Sequence, residues 1–439
     1  MFIPFVVLWW GSMAIQFGLL YLIHYLAKRP ELPLLSVRNL VQPNYWVIAF
    51  WFLGFTIPQL LYPLNEFPVL GMELAGLRER QWASLAANWC LIQYGVGAVL
   101  GFWVMKMFTD KKIPRLLELR PVKNRELWVT GFFTLLGFLG FLFLFITFRG
   151  SGGPRSDLVK SLPGKIAYAV SFFFTFGASL FIAHFISQNQ KRLGYTIAIL
   201  TAVFMFFLGG RGRVLWPSVL TICFLGMVSG RRAKPAVVVA SGIFLYSLLA
   251  VMDPLLFLLE DGDGQAFLER ALLYASVKDI MLNRLFNSYT NIPLTIYFDD
   301  IPHRWQYLYN GDAGVQWMLR FYPQILGQGV AFNMSVPLEW FMAFGHKGFF
   351  IGGLFLGLML GGMRILFLRT HNPFVMWSYF LAVQWITSVN GTFFQAYEKI
   401  ISAIVPPLFV YALASLYWKS PAQEASESGG ALVPESAPG

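Results

Sequence analysis

The feature that most constrains this chain is a series of apolar runs, each about as long as a membrane is thick. Runs of roughly 17 to 25 apolar residues recur from the first residue almost to the last, and about 20 such residues span a hydrocarbon core as a helix. Only 13% of the residues are charged, against about 25% in a soluble domain. We therefore expect an all-α, polytopic membrane protein.

Eleven transmembrane helices are predicted, together with one large outer loop and a disordered cytoplasmic tail. The first run is too long for a signal-peptide core and lacks a cleavage site, so we treat it as a retained helix. Eight helices precede the loop, within 1–259; the loop occupies 260–343, three helices follow within 344–418, and the tail is 419–439. The predicted spans are 3–26, 44–62, 83–108, 127–148, 165–187, 193–209, 214–230, 235–259, 344–363, 373–390 and 398–418.

Charge distribution predicts the orientation. The net charge is +11, and many of the Lys and Arg residues lie in alternate short loops and the short C-terminal tail. The positive-inside rule places these segments in the cytoplasm and the N-terminus outside. The same rule accounts for the positive charge without a nucleic-acid partner.

One outer turn breaks this charge preference. Arg211 and Arg213 stand among Gly209, Gly210 and Gly212, between two apolar runs. Arginines in such a turn can snorkel to lipid phosphates. They can also form a fork for an anionic substrate, because guanidinium binds phosphate bidentately and stays charged.

Other polar residues fall near the same outer face. The candidates for a general base are Asp253, His303, His346 and Glu339, and Arg284, Arg304 and Arg320 could add positive charge from the loop. Asp253 could instead pair with Arg211 or Arg213, since an acid at membrane depth is usually paired. The loop is also rich in Tyr, Trp, Asn and Asp, which suits sugars and equally suits an interfacial aromatic belt.

No histidine cluster indicates a metal site, no cofactor is expected, and no nucleotide-binding loop supports an ATP-driven pump.

Three passages resemble the bacterial oligosaccharide repeat-unit polymerases, also called O-antigen or Wzy-type polymerases. They are the turn GGRGRVLWPSVL, the late outer loop, and SVPLEWFMAFGHKGFFIGGLFLGLMLGG, where Glu339, Phe344, Gly345 and Gly348 fall on the recurring positions. The chain departs from the family in FYPQILGQG, where Gln324 follows Pro323 in place of an arginine; Arg320 could supply that charge.

The resemblance implies a GT-C-like membrane glycosyltransferase of the bacterial inner membrane. It would join lipid-linked oligosaccharide repeat units, using undecaprenyl pyrophosphate as the leaving group of the donor, during synthesis of O-antigen, capsule or exopolysaccharide. A chain-length regulator and a flippase would be its partners. An O-antigen ligase would share these features, while a flippase, a transporter and a structural assembly protein remain alternatives from other classes.

Overall fold

The computed structural model describes residues 2–28, 42–61, 77–109, 122–151, 162–188, 190–207, 287–321, 323, 334–370, 372–387 and 393–417, and these are called the described residues below. They form helices and short connections, without a strand. In chain order the helices are α1 (Phe2–Ala27), α2 (Pro43–Trp51), α3 (Ile57–Leu61), α4 (Leu77–Thr109), α5 (Asn124–Ser151), α6 (Leu162–Ser187), α7 (Lys191–Phe207), α8 (Asn287–Phe298), α9 (Tyr307–Asn310), α10 (Asp312–Phe321), α11 (Val336–Phe344), α12 (His346–Arg369), α13 (Pro373–Thr387), α14 (Phe393–Ala403) and α15 (Val405–Tyr417).

Five of these helices are long and apolar enough to cross a membrane. Their apolar stretches are Phe5–Ala27, Gln81–Phe108, Asn124–Thr147, Leu162–Ile182 and His346–Arg369. Shorter apolar helices cover Pro373–Val383 and Ile400–Leu416. The chain is thus an all-α protein with several membrane-spanning helices, as the sequence predicts.

The bundle is built around α4, which runs parallel to both α1 and α12. Asn88 of α4 donates a hydrogen bond to the Ser12 hydroxyl at 3.1 Å, and Lys106 donates to the Leu26 carbonyl at 2.8 Å. Residues later in α1 therefore contact residues later in α4, so the two helices run in the same direction. The same holds for α12, where Gly353 meets the Tyr94 carbonyl and Gly357 meets that of Ala98.

Glycine permits the close approach of α4 and α12. A Cβ added at Gly353 or Gly357 would overlap main-chain atoms of α4, and a Cβ at Gly97 would overlap main-chain atoms of α12. Small residues at such positions let helix backbones pack by van der Waals contact, which drives helix association in lipid. Other helices pack antiparallel: Gly137 of α5 lies against Phe174 of α6, and Gly140 against Ala167.

These directions define two ends of the bundle. We call the end where α1, α4 and α12 begin the upper end, and the end where they finish the lower end. At the lower end Tyr411 of α15 donates to the Glu126 carboxylate at 3.1 Å, and Asn372 donates to the Tyr411 hydroxyl at 2.6 Å. The helices α5 and α13 therefore begin at the lower end, and α15 finishes there.

The described part of the predicted outer loop packs into the upper end of the bundle. Tyr289 of α8 is fully buried and donates to Asn88 of α4 at 2.8 Å. Trp317 of α10 is equally buried and donates to Thr295 of α8 at 2.7 Å. These side chains share one apolar core with α1, α2, α4 and α12.

Several predicted spans have different bounds in the structure. The span predicted as 83–108 is α4, which begins at Leu77, and that predicted as 44–62 is α2 and α3, joined by a π-helical turn over Phe52–Thr56. The span predicted as 344–363 begins at His346, after a break at Gly345, and continues to Arg369. The span predicted as 398–418 is two helices, α14 and α15, separated at Ile404. Pro406 and Pro407 follow that point. Proline lacks the N–H that a continuous helix needs, which explains why a new helix begins there. The predicted spans 214–230 and 235–259 and the tail lie outside the described residues.

Candidate functional site

Glycine 345 forms a sharp corner between α11 and α12 at the upper end. Its φ is 63° and its ψ is −152°, a conformation open mainly to glycine. Its backbone N–H donates to the Phe341 carbonyl at 2.6 Å, which closes the last turn of α11. The side chains from Val336 to Ala343 are all buried. The corner is therefore a fixed part of the bundle.

Glu339, the leading candidate for the base, lies in the buried helix α11. It is 1% exposed, and its carboxylate accepts hydrogen bonds from the backbone N–H groups of Phe393 and Phe394, the latter at 3.3 Å. These are the first two residues of α14, where unpaired N–H groups and the helix dipole favour a negative charge. Glu339 thus caps α14.

Burial also changes the acidity of this carboxyl group. The residue lies outside the five candidate spans. Burial raises the pKa of Glu339 from 4.5 to about 8 and outweighs the two backbone hydrogen bonds, which act in the opposite direction. At this burial Glu339 is positioned to hold α14 and does not present its carboxyl group on the surface.

The two histidine candidates flank one aromatic ring next to the corner. The rings of His303 and His346 each lie 5.3 Å from the Phe341 ring, in edge-on geometry. A Cβ added at Gly345 would lie 3.2 Å from Nε2 of His303. His346 also contacts Cys90 of α4, with 3.8 Å between Nδ1 and the thiol sulfur. The structure therefore brings both histidines to the same corner.

Asp299 is a member of the site that sequence reasoning missed. Its carboxylate lies 3.4 Å from Nε2 of His303, and both side chains are partly exposed. Its φ is 40°, and among the described residues it is the only one other than glycine with a positive φ. Non-glycine residues adopt this region rarely and often at functional positions. The signal available in the sequence is an acid four residues before a histidine.

The two arginine candidates from the described loop differ in their surroundings. Arg304 is exposed, and its backbone N–H donates to the Met342 carbonyl of α11 at 3.2 Å. Arg320 pairs with Asp300 at 2.5 Å, and its guanidinium lies over the Phe298 ring at 5.2 Å. The charge of Arg320 is thus compensated by a neighbour, whereas Arg304 follows His303 directly at the corner.

Exposed aromatic side chains border the corner. The ring of Trp305 lies 5.1 Å from that of Tyr309, and both are at least half exposed, at 60% and 50%. The backbone beneath them is held in place because the Tyr397 hydroxyl of α14 donates to the Tyr309 carbonyl at 2.5 Å. The upper end therefore presents a pair of aromatic rings beside the Asp299–His303 pair.

The remaining predicted site residues lie outside the described residues. They are Arg211, Arg213, Arg284 and Asp253, with the turn glycines Gly209, Gly210 and Gly212. Among the described residues no group of three or more His, Cys, Asp or Glu side chains could hold a metal ion.

Comparisons with known proteins give no relative on which a function could rest. No family model matches the chain, and neither a curated protein nor a solved structure matches it significantly. Its function must therefore be inferred from its own residues.

Proposed function

We propose that this chain is a membrane glycosyltransferase that polymerises oligosaccharide repeat units carried on undecaprenyl pyrophosphate. It would act at the outer face of the bacterial inner membrane, in synthesis of a surface polysaccharide. The observation that carries the proposal is the meeting of Asp299, His303 and His346 around the Gly345 corner, at one end of a membrane bundle, with Glu339 buried in the adjoining helix α11.

The charges of the described residues support an outward-facing site. Outside the long segment 260–343, eight described Lys and Arg residues lie at the lower end and six at the upper end (Arg78, Arg80, Arg149, Lys165, Lys347 and Lys399), and most of the described acids belong to the upper end. Because cytoplasmic segments carry the excess of Lys and Arg, the lower end would be cytoplasmic and the corner would face outward. The lower-end basic residues are Lys28, Lys106, Lys123, Arg125, Lys191, Arg192, Arg364 and Arg369, and the upper-end acids include Glu79, Asp299, Asp300, Asp312 and Glu339.

Helix directions are compatible with the predicted number of spans. Since α4 and α12 are parallel, an odd number of crossings must separate them. The helices α5 and α6 supply two, and α7, a 17-residue helix outside the five candidate spans, would supply a third. Two more between 208 and 286, as the sequence predicts, would keep the number odd and bring the total to eleven.

The helix directions also support a position for the arginine turn at the upper end of the bundle. Helix α7 follows α6 after a short connection and packs against it, so its last residue, Phe207, lies at the upper end. Arg211 comes four residues later, and four residues span at most about 14 Å. Its guanidinium would therefore be on the same side of the membrane as His303 and His346.

These groups suit the chemistry of glycosyl transfer from a lipid pyrophosphate. As the glycosidic bond to phosphate breaks, negative charge grows on the leaving pyrophosphate, and fixed guanidinium groups stabilise it without rearrangement. Arg211 and Arg213 would do this, with Arg304 and Arg284 as further cations. The acceptor hydroxyl must lose its proton, and a positioned imidazole can accept it.

The proposal is tested by deleting the gene and examining lipid-linked oligosaccharides by mass spectrometry, beside the surface polysaccharide. Accumulation of single repeat units on lipid, with loss of long polymer, is the expected result. Long polymer stranded on its lipid carrier would assign a ligase instead. An unchanged profile would overturn the proposal. Complementation with the intact chain, at matched membrane level, controls for effects on neighbouring genes.

A further inference from the structure

The exposed surface around residues 299–309 combines aromatic rings with a carboxylate and an imidazole. It contains two neighbouring aromatic rings tilted by 44°, Trp305 and Tyr309, beside an acid and a histidine, Asp299 and His303. Trp305 is two residues from His303, a separation of about 7 Å at most along the chain. We call these four residues the acceptor face.

We propose that the acceptor face binds the terminal sugar of the acceptor oligosaccharide, and that Asp299 positions His303 to deprotonate its hydroxyl. This inference rests on the proposed function. Sugar rings present apolar C–H faces and hydroxyl edges together, so a paired aromatic surface beside hydrogen-bonding groups is complementary to both.

The location of the face fits a sugar attached to a membrane lipid. His303 packs against the same Phe341 ring as His346, and His346 is the first residue of the span formed by α12. The face therefore lies at the level where a helix leaves the hydrocarbon core. The acceptor hydroxyl must reach this level, because the donor's pyrophosphate remains among the headgroups and the anomeric carbon is attached to it.

The carboxylate of Asp299 beside His303 favours a chemical role over membrane anchoring. Interfacial aromatic residues anchor helices without any carboxylate beside them. Here an aspartate holds a φ of 40° and meets Nε2 of His303. A carboxylate in this place can accept a hydrogen bond from Nε2–H, which leaves Nδ1 as the proton acceptor, and it stabilises the imidazolium that forms.

The proposed step forms one bond and breaks another. The acceptor hydroxyl oxygen forms a bond to the anomeric carbon of the donor, and its proton passes to Nδ1 of His303. The bond from the anomeric carbon to the phosphate oxygen breaks, and its electron pair leaves with the pyrophosphate. Asp299 remains an anion throughout, so it acts as a positioning residue, and His303 is the catalytic base.

Binding is tested by protection of Trp305 from hydroxyl-radical oxidation, measured by mass spectrometry on the purified full-length chain. The probe is free oligosaccharide, released by mild acid from the lipids that accumulate in the deletion strain. We expect at least threefold slower oxidation of Trp305 and no change at Trp82, a 48% exposed tryptophan at the upper end of α4. Equal oxidation of Trp305 with and without the probe would overturn the proposal.

Kinetic measurements distinguish the two aromatic residues of the acceptor face, which would bind the sugar, from His303 and Asp299, which would act in the reaction. Trp305→Ala and Tyr309→Ala should raise the KM for acceptor about tenfold with little change in kcat, because these side chains would only bind. His303→Gln and Asp299→Asn should lower kcat, the first by about 100-fold or more. Trp82→Ala should behave as the wild type. A Trp305→Ala variant with lower membrane abundance but unchanged KM would identify an anchor and overturn the proposal.

The outcome also distinguishes this inference from the proposed function. Protection of Trp305 without polymerisation by the wild type would leave the sugar site standing and remove the polymerase. Polymerisation without protection, and with unchanged KM in both alanine variants, would remove the acceptor face alone.

Discussion

The carboxylate of Glu339 caps the first turn of α14, where it accepts a hydrogen bond from the backbone N–H of Phe393. Two short helices at the upper end are thereby joined through one buried acid. The same helix α14 carries Tyr397, whose hydroxyl donates to the Tyr309 carbonyl. The contact between Glu339 and α14 therefore also helps to position Tyr309 in the acceptor face. The residue favoured by sequence for catalysis is thus placed to organise the site.

Replacing this acid should destabilise the protein. Glu339→Ala leaves two N–H groups without an acceptor, and each unsatisfied buried group costs about 1–3 kcal/mol. Glu339→Gln keeps one acceptor oxygen and should cost less. Thermal unfolding of the purified protein in detergent measures both. Unfolding temperatures equal to the wild type in both variants would contradict the capping role.

The same residue predicts a pH dependence. The pKa of Glu339 is raised from 4.5 to about 8 in the folded protein, so between these values the folded state binds more protons than the unfolded state. Its contribution to stability is therefore fully present below pH 4.5 and declines as pH rises toward 8. We expect the unfolding temperature of the wild type, relative to Glu339→Gln, to fall between pH 5 and pH 8.5. A constant difference across this range would contradict the raised pKa.

The parallel packing of α4 and α12 predicts opposite outcomes for two glycines of one helix. Gly353→Ala places a methyl group against the Tyr94 carbonyl, whereas a Cβ at Gly362 meets nothing within 4 Å. Gly353→Ala should therefore cost roughly 1–3 kcal/mol through overpacking. Gly362→Ala should be neutral or stabilising by roughly 0.5–1 kcal/mol. Unfolding temperatures in detergent, compared between the two variants, test the helix register. Equal temperatures would contradict it.

The orientation of the bundle predicts labelling from one side only. In a chain with Cys90→Ala and Cys223→Ala, a cysteine at exposed Gln306 should react with an impermeant maleimide in spheroplasts. A cysteine at exposed Arg192, at the lower end, should react only after the membrane is permeabilised. The reverse pattern would put the Gly345 corner in the cytoplasm and exclude a periplasmic transferase.

Replacement by lysine should affect activity differently at Arg211 and at Arg320. Arg211→Lys keeps the charge and loses the planar fork for phosphate, so polymer length and amount should fall sharply. Arg320→Lys keeps the charge that pairs with Asp300 at the exposed surface and should retain most activity. Gel analysis of surface polysaccharide, with membrane levels matched by immunoblot, measures both. Wild-type polymer in both Arg211→Ala and Arg213→Ala would contradict the role given to the turn.

The long helices could be predicted from the sequence because membrane thickness alone determines their length. The span predicted as 3–26 is α1, Phe2–Ala27, and that predicted as 165–187 is α6, Leu162–Ser187. The breaks at Gly345 and Ile404 do not follow from hydropathy, because a change in backbone direction leaves no mark on it. Only the second break has a local sequence signal, the prolines Pro406 and Pro407.

Part of the candidate site could be predicted from the sequence, and the roles of its residues stay predictions. Residue type and position indicate His303, His346 and Glu339, and the structure brings the segments that carry them together. Their partners depend on contacts between residues far apart in the chain: Phe393 is 54 residues from Glu339, and Cys90 is 256 from His346. Asp299 was missed because its importance lies in its backbone conformation, which composition does not reveal.

The most direct test of the central claim is reconstitution. The purified full-length chain is placed in liposomes with the lipid-linked oligosaccharide that accumulates in the deletion strain, and the products are followed by mass spectrometry. The account predicts a ladder of lipid-linked products that differ by one repeat unit, with single units consumed, and no ladder with His303→Gln. Single units that persist as they do in protein-free liposomes would contradict it.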